Sequence, residues 1–300
     1  MKSALITGHL GFIGRHFYRA LQEEGGWVIS TCDIASGPNT PAHHEPRDCR
    51  EGFAQDAWQD MDLVIHCAAT IPPIDQRERN DLIVAQDLAI DATMFQWALR
   101  TKPKKIVFFS SSAAYPIDLQ RQPYQLVEDD IDLHLLHTPD AMYGMTKLVG
   151  ELQAAEAKRL GIDVLVLRPF SGYGSDQSED YPFRAFVERA RRREPVFQVW
   201  GDGSQVRDFI HVDDIVNGTM TMLDAGFVGP VNVGTGIPTS LLELAKTVIA
   251  EIPGYSPALQ LNNAKPTGAV YRCCDPTLLH SVYQPAVGLQ EGVKRALEGL

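Results

Sequence analysis

The sequence predicts an α/β chain: a doubly wound parallel sheet with a smaller C-terminal α/β lobe. Three observations predict it. Short apolar runs alternate with longer segments of helical spacing, a glycine turn divides the first run from the first helical segment, and the texture changes near residue 170. The runs are almost continuously apolar, as strands buried on both faces of a parallel sheet are. Residues 1–169 are expected to form the first unit. Residues 170–300 form mainly the second, with some segments returning to the first.

The elements follow in order. "SALIT" (3–7) is the first strand and "FIGRHFYRALQEEG" (12–25) the first helix; "WVISTCD" (27–33) is the next strand. "MDLVIHCAA" (61–69) and "KKIVFFSS" (104–111) are two more strands, separated by the helical pattern of "NDLIVAQDLAIDATMFQWALRTK" (80–102). "YGMTKLVGELQAAEAKRLG" (143–161) is a further helix, and "IDVLVLRP" (162–169) the strand after it. Beyond it, "FSGYGSDQSEDYP" is loop, "FRAFVERARRRE" a basic helix, and "QVWGDGSQVRDFIHVDD" a mixture of short strands and glycines. The run "RARRRE" (189–194) has no interleaved aromatics and reads as a solvated helix end.

Composition narrows the partners. With 44% hydrophobic and 22% charged residues in 300, the chain can build a full globular core. A net charge of −11 and a pI near 5.3 argue against nucleic acid and against an anionic membrane surface. A small phosphorylated ligand needs only a few local cations. The five cysteines show no zinc spacing, so no metal is expected, and vicinal Cys273 and Cys274 read as small residues on a buried strand. "MKSALITG" enters a strand at once, and no apolar run reaches the roughly 20 residues of a membrane span, which points to a cytoplasmic protein with reduced thiols.

"TGHLGFIG" places Gly8, Gly11 and Gly14 between the first strand and the first helix. The first glycine permits a tight turn, the second lets a pyrophosphate approach the backbone, and the third lets helix and strand pack closely. Phe12 and Ile13 open the helix, whose N-terminal N–H groups face the phosphates. Asp33 closes the second strand 19 residues past the last glycine, where a carboxylate accepts from ribose hydroxyls and repels a 2′-phosphate. This is a Rossmann-type site, and the expected cofactor is NAD rather than NADP. His9 lies within the turn, either near the pyrophosphate or as an exposed loop histidine.

"YGMTK" puts Tyr143 and Lys147 at i and i+4 on one helical face. A phenol, with a reference pKa of about 10, is a poor base at neutral pH. A neighbouring ammonium and the positive nicotinamide of NAD⁺ favour the phenolate. Such a tyrosine can take a proton from an alcohol while a hydride leaves the same carbon for the cofactor.

These motifs, with "HCAA" (66–69), "SSS" (110–112), "RPFSGYG" (168–174), "WGDGSQVRDFIHVDD" (200–214) and "NVGTG" (232–236), fall in the order of the extended short-chain dehydrogenase/reductases. More narrowly, the chain resembles the NAD-dependent nucleotide-sugar epimerase/dehydratase family, UDP-galactose 4-epimerase-like, over nearly its whole length. The resemblance implies that Tyr143 is the base, Lys147 holds the nicotinamide ribose, and a serine of 110–112 bonds the reacting sugar oxygen. Counting forward from the strand selects Ser112 and counting back from Tyr115 selects Ser111; Ser112 is preferred, because a strand fixes position and a loop absorbs a deletion.

The resemblance also places Cys67, Ala68, Ala69, Ser110 and Pro169 around the cofactor. Asp48, followed by Cys49, resembles the aspartate that binds the adenine amino group. On the substrate side it implies Ser111, Ser112, Ser171, Val199, Trp200, Arg207, Lys265 and Arg272, with Arg207 on the diphosphate and Val199 and Trp200 near the nucleobase. A guanidinium suits that place, being permanently charged and bidentate. Ser171 stands where many relatives carry asparagine, Lys265 near their arginine, and Asp87 in place of the asparagine of their "NVxGT" motif.

The reaction is read from the residues after the serines. Relatives that are 4,6-dehydratases carry Asp-Glu there, decarboxylases a glutamate, and mannose-type 3,5-epimerases a cysteine. This chain has Ala113 and Ala114, which transfer no protons. The expected activity is therefore 4-epimerisation of a nucleotide-diphosphate sugar, by C4 oxidation and return of the hydride to the opposite face. A dehydratase, a decarboxylase, a 4-ketosugar reductase and a catalytically silent NAD-binding sensor are the alternatives. A homodimer is expected, paired through the helices near 80–101 and 143–160.

Overall fold

Strand β1 (Lys2–Thr7) carries Ala4, Leu5 and Ile6 with no exposed surface, which requires cover on both faces of the sheet. The computed structural model, describing residues 1–35, 46–70, 81–135, 137–265 and 267–299, supplies that cover. The chain leaves β1 through helix α1 (Phe12–Glu24) to β2 (Trp27–Cys32), then passes α2 (Cys49–Ala54) to β3 (Leu63–His66). It continues through α3 (Asp81–Thr101), β4 (Lys105–Phe109), α4 (Ala141–Arg159) and β5 (Asp163–Pro169).

The later chain runs β6 (Ser171–Tyr173), α5 (Pro182–Arg191), β7 (Val196–Trp200), β8 (Val206–His211), α6 (Val212–Asp224) and β9 (Gly229–Val233). It ends β10 (Pro238–Ser240), α7 (Leu241–Ala250), β11 (Ala258–Asn262), β12 (Tyr271–Arg272), α8 (Thr277–His280) and α9 (Leu289–Glu298).

The main sheet has the order β2-β1-β3-β4-β5-β9, all parallel. Strand β9, far along the chain, returns to pair with β5. The alternation of β1 sorts its side chains between two cores. Ala4 and Ile6 join Phe17 and Leu21 of α1 and Ile215 of α6; Leu5 joins Phe53, Trp97 and Phe108 beneath α2, α3 and α4. Each such large side chain contributes about 1.5–3 kcal/mol on burial. The two-sided cover read from the apolar runs is what the protein has.

A third core, with Phe183, Phe186, Phe197 and Val248, lies under α5, α7 and α9. There β8 pairs with β6, β10 and β12, while β7 pairs with β11. The basic run after α5 is solvated: Arg191, Arg192 and Arg193 are exposed, and Arg192 pairs with Glu179 at 2.8 Å. Cys273 and Cys274 are fully buried beyond β12.

Strand order reverses between β1 and β3, whose connections leave in opposite directions. In such a sheet the ligand crevice opens at the carboxyl ends of the strands beside that point.

Candidate active site

Of the predicted cofactor residues, Gly8, Asp33, Cys67, Ala68, Ala69, Ser110 and Pro169 lie at or just beyond a strand's carboxyl end, while Gly14 lies on α1 with Phe12 and Ile13, and Tyr143 and Lys147 lie on α4. Gly8 adopts a φ of +69°, and a Cβ on it would stand 2.8 Å from the Cys67–Ala68 peptide. A Cβ on Gly14 would collide with the Gly8 carbonyl oxygen. Gly11 donates its N–H to that oxygen at 3.0 Å and leads into α1, whose first N–H groups, including those of Phe12 and Ile13, have no partner within the helix. The turn therefore presents bare backbone to a phosphate. His9 is buried, its ring 6.2 Å from that of Tyr18, so it is not an exposed loop residue.

Asp33 accepts the Leu10 N–H at 3.0 Å on one oxygen and the Ala35 N–H at 3.0 Å on the other, which locks its carboxylate against the turn. Arg47 donates its N–H to the Asp33 carbonyl and brings Asp48 to the same side. The Asp48 side chain caps α2 through the Arg50 N–H at 2.9 Å and grips the Arg50 guanidinium, which holds its carboxyl below the usual range. Cys49 is core, and burial pushes its thiol up to about 12. Glycine cradle and the Asp33 carboxylate beside it together fit an NAD molecule. Cys67, Ala68 and Ala69 follow β3 alongside, half-buried.

Beyond β4 the three serines differ. Ser110 is buried and donates its hydroxyl to the Glu151 carboxylate. Ser111 is half-buried, and its Oγ accepts the Ala113 N–H at 3.1 Å. Ser112 opens a 3₁₀ turn (Ser112–Ala114), is 4% exposed, and has no side-chain hydrogen bond among the described residues. Ala113 and Ala114 are buried. The Ala113 carbonyl receives the Asp140 N–H at 3.0 Å, and any Cβ on Gly144 would strike it. The first turn of α4, with Tyr143, is thereby pressed onto the serine turn.

Tyr143 is half-buried and Lys147 is buried, with Nζ 5.8 Å from the centre of the Tyr143 ring. Burial works against the charge on Lys147, but Asp91, Tyr143 and Asp87 more than offset it, so its pKa rises. Lys147 Nζ lies 3.9 Å from Asp91 Oδ2. Asp91 Oδ1 meets His66 Nε2 at 3.2 Å, and His66 Nδ1 meets the Thr7 hydroxyl at 2.8 Å.

Behind them lies a buried polar network. Arg168, 1% exposed, donates to both oxygens of Glu151 at 2.9 and 2.6 Å, to Tyr115 Oη at 3.0 Å and to the Glu128 carbonyl at 2.7 Å. Tyr115 in turn donates to Asn232 at 2.6 Å. The network ties the ends of β4, β5 and β9 to α4. Pro169 ends β5 and Ser171 opens β6, both half-buried beside it.

The predicted substrate residues of the second lobe are less uniform. Val199 is wholly buried in that lobe's core, which leaves only its backbone for a ligand. Trp200 is half-buried, with the Lys265 ammonium 5.2 Å over its ring. Arg207 donates to the carbonyls of Val206, Thr267 and Ala269 at 2.7–3.2 Å. Arg272 pairs with Arg207 across β12 and β8, yet its guanidinium reaches Gln120 at 2.8 Å and the Asp140 carboxylate. It thus joins the second lobe to the start of α4. Among the described residues no cluster of three His, Cys, Asp or Glu could hold a metal ion, and no helix is long and apolar enough to cross a membrane.

Comparison with known proteins decides the family. Residues 4–234 match the model of the NAD dependent epimerase/dehydratase family. The chain belongs to this family. It is 29% identical to the dTDP-4-dehydro-6-deoxy-D-allose reductase of Streptomyces bikiniensis over 97% of this chain and 94% of that protein. It is 30% identical to a putative UDP-glucose 4-epimerase of Methanocaldococcus jannaschii, over 98% and 96% respectively. The structure of the Bacillus cereus UDP-glucuronic acid 4-epimerase with UDP-glucuronic acid and NAD is 25% identical and superposes with a TM-score of 0.83, covering 99% of this chain and 98% of that one. NAD is accordingly the cofactor of this epimerase/dehydratase family member.

Several residues that build the family's site here were not singled out from the sequence: His66, Asp91, Asp140, Glu151 and Arg168. Helical spacing carried a signal for two of them. Asp91 lies four residues past Asp87, and Glu151 four past Lys147, each on the face already marked.

Proposed function

We propose that the chain is an NAD-dependent nucleotide-sugar 4-epimerase in which Tyr143 is the acid/base group. One observation carries this reading: the two residues after the serines are alanines, buried under the first turn of α4, and bring no second proton-transferring group to the sugar. Tyr143 takes the proton of the C4 hydroxyl and returns it to the same oxygen. NAD, held by the Gly8–Gly14 turn and Asp33, would supply the acceptor and donor for the hydride at that carbon, whose return to the opposite face inverts C4. Lys147 supports the phenolate and the cofactor ribose.

The exposures support Ser111 rather than Ser112 as the serine on the sugar oxygen. Ser111 is half-buried like Tyr143, and accepting the Ala113 N–H leaves its own hydrogen free to donate. Trp200, Lys265 and Arg207 suit a nucleoside diphosphate, the indole for the base and the cations for the phosphates. Phe95, Leu99, Val149 and Leu152 line an apolar groove on α3 and α4, which supports pairing of two copies there; sedimentation tests it. Five free cysteines suit a reducing cytoplasm.

A second reading, 4-ketosugar reductase, is favoured by the similarity to the Streptomyces reductase. Proton NMR of a panel of nucleotide sugars separates the two. The epimerase inverts C4 with no added cofactor. Consumption of NADH mole for mole with a ketosugar, a 4-keto-6-deoxy product, or released CO₂ would overturn that assignment.

A further inference from the structure

Two buried carboxylates stand near one ammonium in this site. Asp87 and Asp91 lie one turn apart on α3, and 1% and 2% of their surfaces are exposed. Each has one oxygen engaged: Asp91 Oδ1 meets His66, and Asp87 Oδ1 accepts the Thr70 N–H at 2.6 Å. The other oxygen of each has no hydrogen-bond partner among the described residues. A buried carboxylate oxygen in that state is unfavourable unless a positive charge balances it. Lys147 is the cation beside them: its Nζ lies 3.9 Å from Asp91 Oδ2, and the charge of Asp87 adds to that of Asp91 in raising its pKa.

The remaining titratable groups around Lys147 do not supply another. Tyr143 faces it from its own helix and Cys67 from the end of β3, with His66 behind Asp91. Burial pushes the Cys67 thiol up, so it stays neutral. Burial, helped by the neighbouring Asp91 and opposed by Lys147 and the Thr70 N–H, brings the Asp87 carboxyl up to about 6. Asp87 is therefore charged throughout the alkaline range in which a phenol titrates.

We propose that Asp87 and Asp91 are positioning residues that act on Tyr143 through Lys147, fixing its ammonium and offsetting its charge. With that offset, only part of the Lys147 charge acts on the Tyr143 hydroxyl. The hydroxyl is restored after each proton transfer, and the positive charge of an oxidised nicotinamide tips the balance toward the base. A cycle that removes a proton from an alcohol and then returns it to a ketone needs a group of this kind. The inference rests on the reading of Tyr143 as the acid/base group.

The test is an ultraviolet phenolate titration of the NAD-loaded protein, with Tyr143→Phe subtracted so that only Tyr143 is seen. Asp87→Asn and Asp91→Asn should each move that titration to lower pH by about one unit, the effect of removing a nearby negative charge. Asp87→Asn keeps an acceptor for the Thr70 N–H, so it reports even where Asp91→Asn fails to fold. An unmoved titration, or one moved to higher pH, overturns the proposal. Turnover in Tyr143→Phe would instead overturn the acid/base reading and leave the titration result standing.

Discussion

Replacing Arg168 by leucine removes the centre of the buried network. The guanidinium donates four hydrogen bonds, two of them to the Glu151 carboxylate, which is itself 3% exposed. Breaking a buried pair by deleting one partner costs about 3–5 kcal/mol, because the other charge stays desolvated. After Arg168→Leu, Glu151 retains only the Ser110 hydroxyl among the described residues, so the full range applies. Glu151→Leu should cost a similar amount by stranding the guanidinium. The double variant replaces the pair with apolar groups and should fall short of the summed losses by about 3 kcal/mol. Urea denaturation of the NAD-free protein, followed by tryptophan fluorescence, measures all three. A loss below about 1 kcal/mol for Arg168→Leu, or strictly additive losses in the double variant, would refute the network as a coupled unit.

Three further outcomes are expected. Ser111→Ala should lower kcat by about a hundredfold, the effect of losing one donor to a reacting oxygen, and Ser112→Ala much less; the reverse order would return the role to Ser112. Gly14→Ala forces a methyl group onto the Gly8 carbonyl and should destabilise by about 1–3 kcal/mol while weakening NAD binding, read by calorimetry. His16 is half-buried, and that desolvation lowers its pKa, but Asp176 at 3.0 Å and Asp213 raise it more, so its net direction is upward. That contribution is present below about pH 6.5 and lost as pH rises through the folded value. Burial opposes ionisation of Asp176, but His16 and Arg15 outweigh it and bring the carboxyl to about 2; its contribution is present above about pH 4 and lost on acidification. Thermal unfolding should peak between these limits, and His16→Gln should flatten the alkaline decline; an unchanged decline would exclude His16 as its source.

The glycine turn, Asp33 and the Tyr143–Lys147 pair were legible because each depends on neighbours close in the chain. A turn needs its glycines within a few residues, and a helix brings i and i+4 together without help. The parallel sheet was legible for a similar reason: apolar runs alternating with helices imply strands buried on both faces. Which serine meets the sugar was not legible: counting from the strand favours Ser112, while the 3₁₀ turn buries Ser112 and leaves Ser111 half-buried, a difference set by packing.

The amino-acid order alone thus established the family's sheet and its cofactor, through short-range chemistry. It was silent on which charges meet. Arg168 finds Glu151 across 17 residues, His66 finds Asp91 across 25, and Arg272 finds Gln120 across 152, because strand ends and helix faces converge in space. Those meetings depend on sheet order and packing rather than on spacing along the chain. They determine which serine is held by Glu151, which carboxylate meets Lys147, and which arginine joins the second lobe to α4.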